Sequence, residues 1–296
     1  MIPRLNCVIL NYNDAPTVEN LIAQIHDYQI LEQIVVVDNH SSDDSLERLH
    51  PLADDKVTVI CAKANGGYGS GNNLGVRYAV NHNQATHVLI ANPDISVSEA
   101  CLVKLLQAFE KRPQAAVVTA RMEDRQYGTL RNGWPLRSFT KELLSMGPVS
   151  RRLLGSFFDY PDSRFQTGRA MYVDVVHGSM LMVDAARFLE AGGYDEEIFL
   201  YQEEAVLGHR MKARGYRSIL RLDCSYGHEH SASISKTFTS QMRRQRLREE
   251  SELYYMKHYL HINPLQEVFA RLWFWGIRVE VWVAARFGVC TGGKED

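Results

Sequence analysis

Apolar residues recur along the first 120 positions in short runs, separated by polar or helical stretches. Because short apolar runs between turn residues are typical of buried strands, the pattern predicts strands at 5–10, 34–37, 57–61, 86–91 and 115–119. Between two of the runs, residues 15–28 show helical spacing, with one apolar face formed by Val18, Leu21, Ile22 and Ile25. Strand and helix alternate, which predicts an α/β fold with a mostly parallel central sheet flanked by helices.

The hydrophobic pattern changes after this region. Residues 121–170 are rich in Arg, Gly, Pro and aromatic residues and show no steady period, so we predict loops and short helices there. Strand patterns return at 171–176, 179–183 and 218–222. A helix is predicted over 202–214, and the chain looks helical again from Thr237 onwards.

Composition and charge narrow the classes of function. The 296 residues carry a net charge of -2, which argues against a general electrostatic grip on nucleic acid. The five cysteines are scattered and form no C-x-x-C pair, so we expect buried, reduced thiols and a cytosolic compartment. We see no signal-peptide pattern and no uncharged apolar stretch of about 18 residues, so a membrane-spanning helix is not predicted.

Polar residues follow the ends of the predicted strands, where open α/β sheets bind their ligands. Asn11, Tyr12 and Asn13 follow the first strand, and Asp38 ends the second. A carboxylate in that position accepts hydrogen bonds from a nucleobase N–H or a ribose hydroxyl. Asp38 would serve equally well to cap a turn, so both interpretations stand on the residues alone.

A glycine-rich stretch, residues 65–73, follows the third predicted strand. Its glycines allow the backbone to approach a ligand closely, and the N-terminus of the following helix favours anions. The glycine spacing matches neither a dinucleotide fingerprint nor a P-loop, so a plain flexible turn explains the stretch equally well.

Asn92, Pro93 and Asp94 close the fourth predicted strand. Pro93 stiffens the turn, and Asp94 offers a hard oxygen ligand of the kind that Mg²⁺ or Mn²⁺ takes when water and substrate phosphates complete its shell. An Asn-Pro-Asp turn is also a common way to end a strand, so the metal site is one of two interpretations.

Two adjacent carboxylates, Glu203 and Glu204, open the helix predicted over 202–214. Acidic residues in a first turn stabilise the helix dipole, which is the simpler explanation. Alternatively, one of them is a general base, because a hydroxyl group is a poor nucleophile and a carboxylate can take its proton as it attacks.

Taken in order, these stretches resemble the family 2 glycosyltransferases, which have the GT-A fold. The matching segments are CVILNYND, IVVVDNHSSDDS, NGGYGSGNNLGVRYA, HVLIANPDI, HGSMLMVDAARFLEAGGYDEEIFLYQEEAVLGHRMKARGY and HEHSAS. The resemblance implies one GT-A domain, with a nucleotide-sugar-binding half in 1–120 and an acceptor-binding and catalytic half in 121–235. A C-terminal helical extension, 236–296, would follow.

The resemblance also implies inverting transfer of a sugar from a nucleotide-diphosphate donor, with Mg²⁺ or Mn²⁺ as cofactor. The chain is most similar to the bacterial rhamnosyltransferase-like and galactofuranosyltransferase-like branch, which builds cell-surface polysaccharide such as O-antigen. We therefore expect L-rhamnose from dTDP-rhamnose; a UDP-sugar-dependent galactofuranosyl- or hexosyltransferase is the alternative. The expected acceptor is a saccharide, free or linked to a polyprenyl diphosphate.

The resemblance assigns roles to individual residues. Donor binding would fall to Asn11, Tyr12, Asn13, Asp38, Asn65, Gly67, Asn73 and Asn92. Asp94 would be the last acid of the family's D-x-D-type metal motif, whose first acid is replaced here by Asn92. His228 falls where the family often has a metal- or phosphate-contacting histidine, although on bare sequence His228 and His230 alternate as surface residues of a strand do.

The catalytic base is also assigned by resemblance. The family's base is usually the second member of an E-D pair, which corresponds here to Glu203-Glu204. Glu204 is therefore the expected base and Glu203 the alternative. Two other classes compete: a nucleotidyltransferase, which normally has a glycine- and lysine-rich loop near its N-terminus, and a non-catalytic sugar-nucleotide-binding module.

The C-terminal segment 269–287, FARLWFWGIRVEVWVAARF, is strongly apolar. Arg278 and Glu280 lie near its centre, which a membrane-spanning helix does not favour. Its tryptophans and arginines suit a helix lying in the membrane interface, with the basic residues before it assisting. The alternative is a helix packed on the catalytic domain or in a homodimer. The expected location is cytoplasmic, either free or peripheral on the inner face of the membrane.

Overall fold

A computed structural model describes the chain in residues 3–124, 127–166, 168–229 and 241–287. Its strands are β1 Leu5–Asn11, β2 Leu31–Asp38, β3 Val57–Cys61, β4 His87–Ala91, β5 Ile95–Val97, β6 Ala115–Asp124, β7 Gly128–Leu130, β8 Gly133–Trp134, β9 Ala170–Val173, β10 Val175–Val176, β11 Met180–Asp184 and β12 Arg217–His228. Its helices are α1 Ala15–Ile25, α2 Ser45–Leu49, α3 Gly67–Asn83, α4 Glu99–Lys111, α5 Phe139–Met146, α6 Pro148–Phe158, α7 Ser163–Gln166, α8 Ala185–Glu190, α9 Glu203–Ala213, α10 Gln241–His258 and α11 Pro264–Phe287.

The central sheet has the strand order β3-β2-β1-β4-β11-β6-β12-β5, with β7 beside β6 and β9 beside β12. The first four strands in this order are parallel, as the alternation of strand and helix predicted. β11 then lies antiparallel between β4 and β6, and β12 is antiparallel to β5 and β9. The carboxyl ends of β1, β2 and β4 therefore share one edge of the sheet.

Side chains alternate between the two faces of the sheet along each strand. Both faces are buried, each by its own core. In β1, Val8 belongs to the core on one side of the sheet, whereas Cys7 and Ile9 belong to the core on the other. The core of Val8 includes residues of α3, α8 and α9, and the core of Cys7 and Ile9 includes residues of α1 and α4. The prediction of helices on both faces is confirmed.

The glycine-rich stretch is the first part of a helix rather than a loop before one. Helix α3 begins at Gly67, inside the stretch 65–73 that was predicted to precede it. A Cβ on Gly71 would lie 2.3 Å from Leu10 Cδ1, and a Cβ on Gly75 would lie 2.4 Å from Val8 Cγ1. These glycines let α3 pack directly against β1. Their low helix propensity conceals the helix in the sequence.

The segment around 121–170 is more regular than its composition suggests. β6 continues to Asp124 and pairs with β7, and the helices α5, α6 and α7 follow. β12 also continues past its predicted end at 222, with an irregularity in its pairing between Arg221 and Ser225. This extension pairs His228 with Ile95, directly beside the turn that contains Asp94.

The C-terminal region is helical, as predicted, and packs on the rest of the chain. Met256 of α10 and Phe274 of α11 share a small core with Leu143 of α5, and Tyr255 packs with Val206 of α9. Among the described helices, none is both long and apolar enough to cross a bilayer. His230 and Cys290 lie outside the described residues.

Candidate active site

A hydrogen-bonded network joins the ends of β1 and β2. Asn11 donates from Nδ2 to Asp38 Oδ1 at 2.8 Å and to Ser41 Oγ at 3.1 Å. The Ser41 hydroxyl donates to Asp38 Oδ1 at 2.6 Å, and its backbone N–H donates to Asp38 Oδ2 at 3.0 Å. Asp38 is buried, so these donors satisfy a carboxylate that would otherwise be costly to bury. The network fixes the shape of the loop after β2.

Asn13 joins the same two loops farther out. It has a left-handed backbone (φ 55°), and its Oδ1 accepts from the Ser42 N–H at 2.8 Å while its own N–H donates to Ser41 Oγ at 3.0 Å. Tyr12 lies between Asn11 and Asn13 and is half-buried. Asn11, Tyr12 and Asn13, the three predicted donor-binding residues at the end of β1, therefore lie close to Asp38.

Asn65 and Gly67 form the next part of the same edge. Asn65 Oδ1 accepts from the Gly67 N–H at 3.0 Å and from Asn39 Nδ2 at 3.0 Å. Gly67 has a positive φ of 86°, and a Cβ there would lie 2.1 Å from the Phe199 carbonyl oxygen, so no other residue fits. Asn39 Oδ1 is buried and accepts no hydrogen bond from the described residues.

Asn73 lies deeper, inside α3. Its Nδ2 donates to the Tyr194 carbonyl oxygen at 3.0 Å and to Glu196 Oε1 at 2.9 Å, and its Oδ1 accepts from the Tyr194 N–H at 3.0 Å. The side chain is buried and ties α3 to the segment before α9. Its contacts hold two parts of the protein together.

Asp94 and His228, which are far apart in the sequence, lie side by side. His228 Nε2 is 3.3 Å from Asp94 Oδ1, and the Glu229 N–H donates to the Asp94 carbonyl oxygen at 3.0 Å. His228 is buried and Asp94 is nearly so. Asn92 is half-buried, and its N–H donates to the Ser179 carbonyl oxygen at 2.8 Å. The pairing of β5 with β12 produces this arrangement.

The Asp94–His228 pair fits a divalent cation that is shared with a substrate. Asp94 Oδ1 is buried and accepts no well-aligned hydrogen bond from the described residues, and His228 Nε2 is its charged neighbour at 3.3 Å, so the oxygen keeps capacity for a cation. A carboxylate oxygen beside an imidazole nitrogen is a ligand set that Mn²⁺ accepts. Within the described ranges, no group of three or more His, Cys, Asp or Glu side chains is placed to hold a metal. The remaining ligands would therefore come from substrate and water.

The loop of residues 177–179 joins this pair to the predicted base. The His177 and His228 rings meet edge to face, with 5.7 Å between their centroids. The Gly178 N–H donates to Glu204 Oε1 at 3.1 Å, and the Gly178 carbonyl oxygen accepts from the Tyr68 hydroxyl at 2.6 Å. Sequence reasoning did not select His177 or Gly178. Their one signal was a His-Gly-Ser sequence at the start of an apolar run.

The two carboxyls of the acidic pair lie in different surroundings. Glu203 is buried, and its Oε1 has no hydrogen-bond partner among the described residues. Burial and the neighbouring Glu204 carboxyl raise the pKa of Glu203 to about 8. Glu204 is half-buried, and burial raises its pKa as well. Burial therefore disfavours two charges side by side, and the Gly178 N–H, which donates to Glu204 Oε1, favours the charge on Glu204 rather than on Glu203.

The model described as Glycosyl transferase family 2 matches residues 7–185. This span exceeds half of the 296 residues and contains the ends of β1, β2 and β4 together with the 177–179 loop. It stops before Glu203 and Glu204, so the match bears on the donor side of the site and leaves the acidic pair untested.

Curated relatives carry glycosyltransferase names. The chain is 26% identical over 212 residues to the low-salt glycan biosynthesis hexosyltransferase Agl10 of Haloferax volcanii; the match covers 72% of this chain and 62% of that protein. It therefore spans less than two thirds of that relative's length. The chain is also 24% identical over 237 residues to the N-acetylglucosaminyl-diphospho-decaprenol L-rhamnosyltransferase of Mycobacterium tuberculosis, covering 73% of this chain and 72% of that protein.

Solved structures confirm the fold class. The mannosyltransferase PcManGT from Pyrobaculum calidifontis, in complex with GDP-Man and Mn²⁺, superimposes with a TM-score of 0.58 at 14% identity. The match covers 97% of this chain and 76% of that chain. At this identity the likeness concerns the fold alone, and it confirms the GT-A fold with its C-terminal helices.

Proposed function

Because the chain belongs to glycosyl transferase family 2, we propose that it is an inverting glycosyltransferase, which moves a sugar from a nucleotide-diphosphate donor to a saccharide hydroxyl. One observation carries this proposal above all. The 177–179 loop contacts His228, the partner of Asp94, on one side and Glu204 on the other. A diphosphate-binding pair and a proton acceptor are thereby held by neighbouring residues of one loop.

We assign the nucleoside to the loops after β1 and β2. The Asp38 carboxylate is held in place by Asn11 and Ser41. Its weakest donor is Cys61 Sγ, 3.8 Å from Oδ2, and a nucleobase N–H would take the place of this thiol. Thymine and uracil both carry an N–H that can donate a hydrogen bond to such an oxygen. A pre-formed acceptor of this kind selects the base without rearranging the loop.

The diphosphate is assigned to Asp94 and His228, which would hold a divalent cation together with it. When bound, the cation neutralises charge on the leaving nucleoside diphosphate. Asn92, at the start of the same turn, is placed to line the donor. Gly67 and Asn65 complete this side of the site through the backbone of the turn that starts α3.

Glu204 is the base in this mechanism. Its carboxylate takes the proton of the acceptor hydroxyl as the oxygen bonds to the anomeric carbon. The bond between that carbon and the diphosphate oxygen breaks in the same displacement, which inverts the anomeric centre. Glu203 stays protonated, because its pKa is raised to about 8, and so adds no second charge beside the base.

L-Rhamnose from dTDP-rhamnose is our first choice of donor, and a UDP-linked galactofuranose or hexose is the second. The similarity to a decaprenol-linked rhamnosyltransferase supports the first choice and also favours a lipid-linked saccharide as acceptor. The similarity to a hexosyltransferase keeps the second open. Both donors share the pyrimidine base and the diphosphate that the assigned residues would contact.

A lipid-linked acceptor requires the protein to reach a membrane, and we propose that α11 provides the contact. Its inner face, with Ala270, Phe274 and Ile277, is buried in the protein. Its outer face presents an apolar stripe at helical spacing, formed by Leu265, Val268, Phe269, Leu272, Trp275 and Val279. Leu265 is 82% exposed and Trp275 is 66% exposed, a large cost for side chains that face only water.

Helix α6 extends this apolar surface. It exposes Val149, Leu153, Leu154 and Phe157. The two helices are neighbours, since a Cβ on Gly147, just before α6, would lie 3.5 Å from Trp273 Cζ2 of α11. The stripe begins before the predicted segment 269–287, whose last seven side chains lie outside the described part of the chain.

An anionic bilayer fits this surface better than a second copy of the chain. α6 has two arginines, Arg151 and Arg152, and no acidic residue. A two-fold interface would bring the same cations of two copies close together, whereas acidic lipid headgroups would pair with them. The arrangement is that of an interfacial helix pair with basic residues among apolar ones.

A thermal-shift panel of nucleotide sugars, with and without Mn²⁺, tests the proposed activity. A donor that binds the folded protein raises its melting temperature by mass action, and we expect the largest rise with dTDP-rhamnose and Mn²⁺ together. An active enzyme should also hydrolyse the donor slowly when no acceptor is present and so release nucleoside diphosphate. Binding without any release, with or without a polyprenyl-linked acceptor, would favour a non-catalytic module.

A further inference from the structure

Two residues immediately before the acidic pair have an unfavourable backbone. Tyr201 and Gln202 have φ values of 73° and 69°, in the left-handed region that residues other than glycine seldom adopt. Such a backbone is strained and persists only where its surroundings hold it. Since Glu203 starts α9 directly after them, this turn sets the direction of both carboxyls.

Two buried carboxyls from distant helices hold the turn. Gln202 Nε2 donates to Glu252 Oε2 of α10 and to Glu142 Oε1 of α5, the latter at 3.3 Å. Glu252 is fully buried and Glu142 is almost so. Both contacts are side-chain hydrogen bonds between separate helices and the turn, and burying two carboxyls is expensive. This points to a purpose other than simple packing.

Helix α10 holds the preceding segment as well. The Ser251 hydroxyl donates to the Leu200 carbonyl oxygen at 2.6 Å. The Tyr259 and Tyr254 hydroxyls donate to Asp195 Oδ2 at 2.5 Å and 3.3 Å. Together with Glu252, these contacts run along 195–202, so the C-terminal region holds the approach to the acidic pair from end to end.

Positively charged side chains near Glu142 and Glu252 offset only part of the cost of burying the two carboxyls. Arg137 Nη1 lies 3.8 Å from Glu142 Oε1, and the positive charge of Arg151 also favours the ionised form of Glu142. Arg248 acts on both carboxyls, and Tyr255 packs close to them. Burial raises the pKa of Glu252 and of Glu142. Burial thus favours the protonated form of each carboxyl and opposes two charges beside one amide.

We propose that Glu142 and Glu252 are positioning residues for the transfer reaction, acting through Gln202 to hold the turn that aims Glu203 and Glu204 into the site. The proposal rests on the assignment of Glu204 as base. It makes α10 part of the catalytic unit rather than an appendage. Most of the residues assigned to the donor lie at the ends of β1, β2 and β4, away from the hydrogen bonds that Gln202 makes with Glu142 and Glu252, so we expect donor binding to depend little on this clamp.

Three substitutions and one control separate this role from general stability. Glu252→Ala removes the acceptor, Glu252→Gln keeps an oxygen that accepts from Gln202, and Gln202→Gly removes the donor while tolerating the left-handed backbone. Glu250→Gln, at an exposed position on the same helix, is the matched control. We expect Glu252→Ala and Gln202→Gly to lower kcat by about 10- to 100-fold with donor KM within about twofold. Glu252→Gln should restore most of the loss.

The pH profile adds a readout that mere destabilisation does not move. In the native protein, ionisation of Glu252 as the pH rises places two charges at Gln202, so kcat should fall on the alkaline side. Glu252→Gln has no such ionisation, and its alkaline fall should be smaller. Hydrogen exchange over 198–206, which needs no assumption about the reaction, should be faster in Glu252→Ala and native-like in Glu250→Gln.

Each outcome decides the question. If Glu252→Ala and Gln202→Gly both keep kcat within about twofold of the native protein and leave exchange over 198–206 unchanged, the clamp is refuted. If Glu252→Ala does not fold, Gln202→Gly decides alone. If the native protein transfers no sugar but Glu252→Ala still exchanges faster over 198–206, the proposed function fails while the structural clamp stands.

Discussion

His228 lies against Asp94, with Nε2 3.3 Å from Oδ1, although the two residues are far apart in the sequence. The extension of β12 beyond its irregularity at 221–225 brings them together. A strand that ended at 222, as the apolar pattern suggested, would leave Asp94 without its imidazole neighbour. The candidate site for the diphosphate is therefore a product of strand pairing rather than of a local motif.

The acidic pair should divide its roles unequally. Replacing the base by Glu204→Gln removes the proton acceptor and should lower kcat by about 10²- to 10⁴-fold without weakening donor binding. Glu203→Gln should keep most of the activity at pH 7, because Glu203 is already protonated there. Initial rates and donor affinities of both variants, with the exposed Glu197→Gln as control, check this division. The opposite ranking would make Glu203 the base.

Glu203 should make the protein less stable as the pH rises. Its pKa is raised from 4.5 to about 8, so the folded chain binds this proton more tightly than the unfolded chain does. The stabilisation from the bound proton is present below pH 4.5 and is lost between there and about pH 8. Glu203→Gln should therefore melt several degrees higher than the native protein at pH 8.5 and at a similar temperature at pH 4. Melting curves at the two pH values give the difference, and equal differences at both would contradict this assignment.

Gly178 leaves room for the base. A Cβ at this position would lie 2.8 Å from Glu204 Oε1, so Gly178→Ala should push the carboxylate away and lower kcat by about 10- to 100-fold. Gly155→Ala is the matched control, because a Cβ there meets nothing within 4 Å. Steady-state rates of the two alanine variants make the comparison. Equal activity in both would mean that the position of the Glu204 carboxylate is unimportant.

The exposed apolar surface of α6 and α11 should bind membranes. Vesicles with about 30% phosphatidylglycerol should carry the native protein upward in flotation, and the Leu272→Asp, Trp275→Asp double variant should stay behind. Val103→Asp, which alters an exposed apolar residue on α4, should float like the native protein. If the native protein does not float, and light scattering gives a dimer that the double variant breaks, then a second copy covers this surface.

Much of the donor side of the site was predictable from the sequence. The strand end at Asp38 and the Asn92-Pro93-Asp94 turn after β4 follow from apolar runs that stop at polar residues, because such runs specify their own ends. Glu203 and Glu204 were recognisable as a pair at a helix start. These features depend on neighbouring residues alone, so they can be predicted from the sequence.

Other parts depend on contacts between distant residues. Gly71 looks like part of a flexible turn, and only its close packing on Leu10 explains why α3 already runs through it. The end of β12 contains the polar residues Arg221 and Asp223, which hide the strand that carries His228. Gln202 and Glu252 give no sign in the sequence that they meet, because nothing in their spacing relates α9 to α10.

The central claim is that Asp94 and Glu204 serve one reaction centre. Crystals grown with dTDP or UDP and Mn²⁺, with data collected at the manganese absorption edge, test it most directly. We predict an anomalous peak within about 2.5 Å of an Asp94 carboxylate oxygen, with the diphosphate beside it and Glu204 across the space left for the sugar. The peak should be absent in Asp94→Ala and present in the exposed-site control Asp55→Ala. A nucleotide diphosphate bound away from Asp94, with the same manganese peak in both variants, would contradict the account.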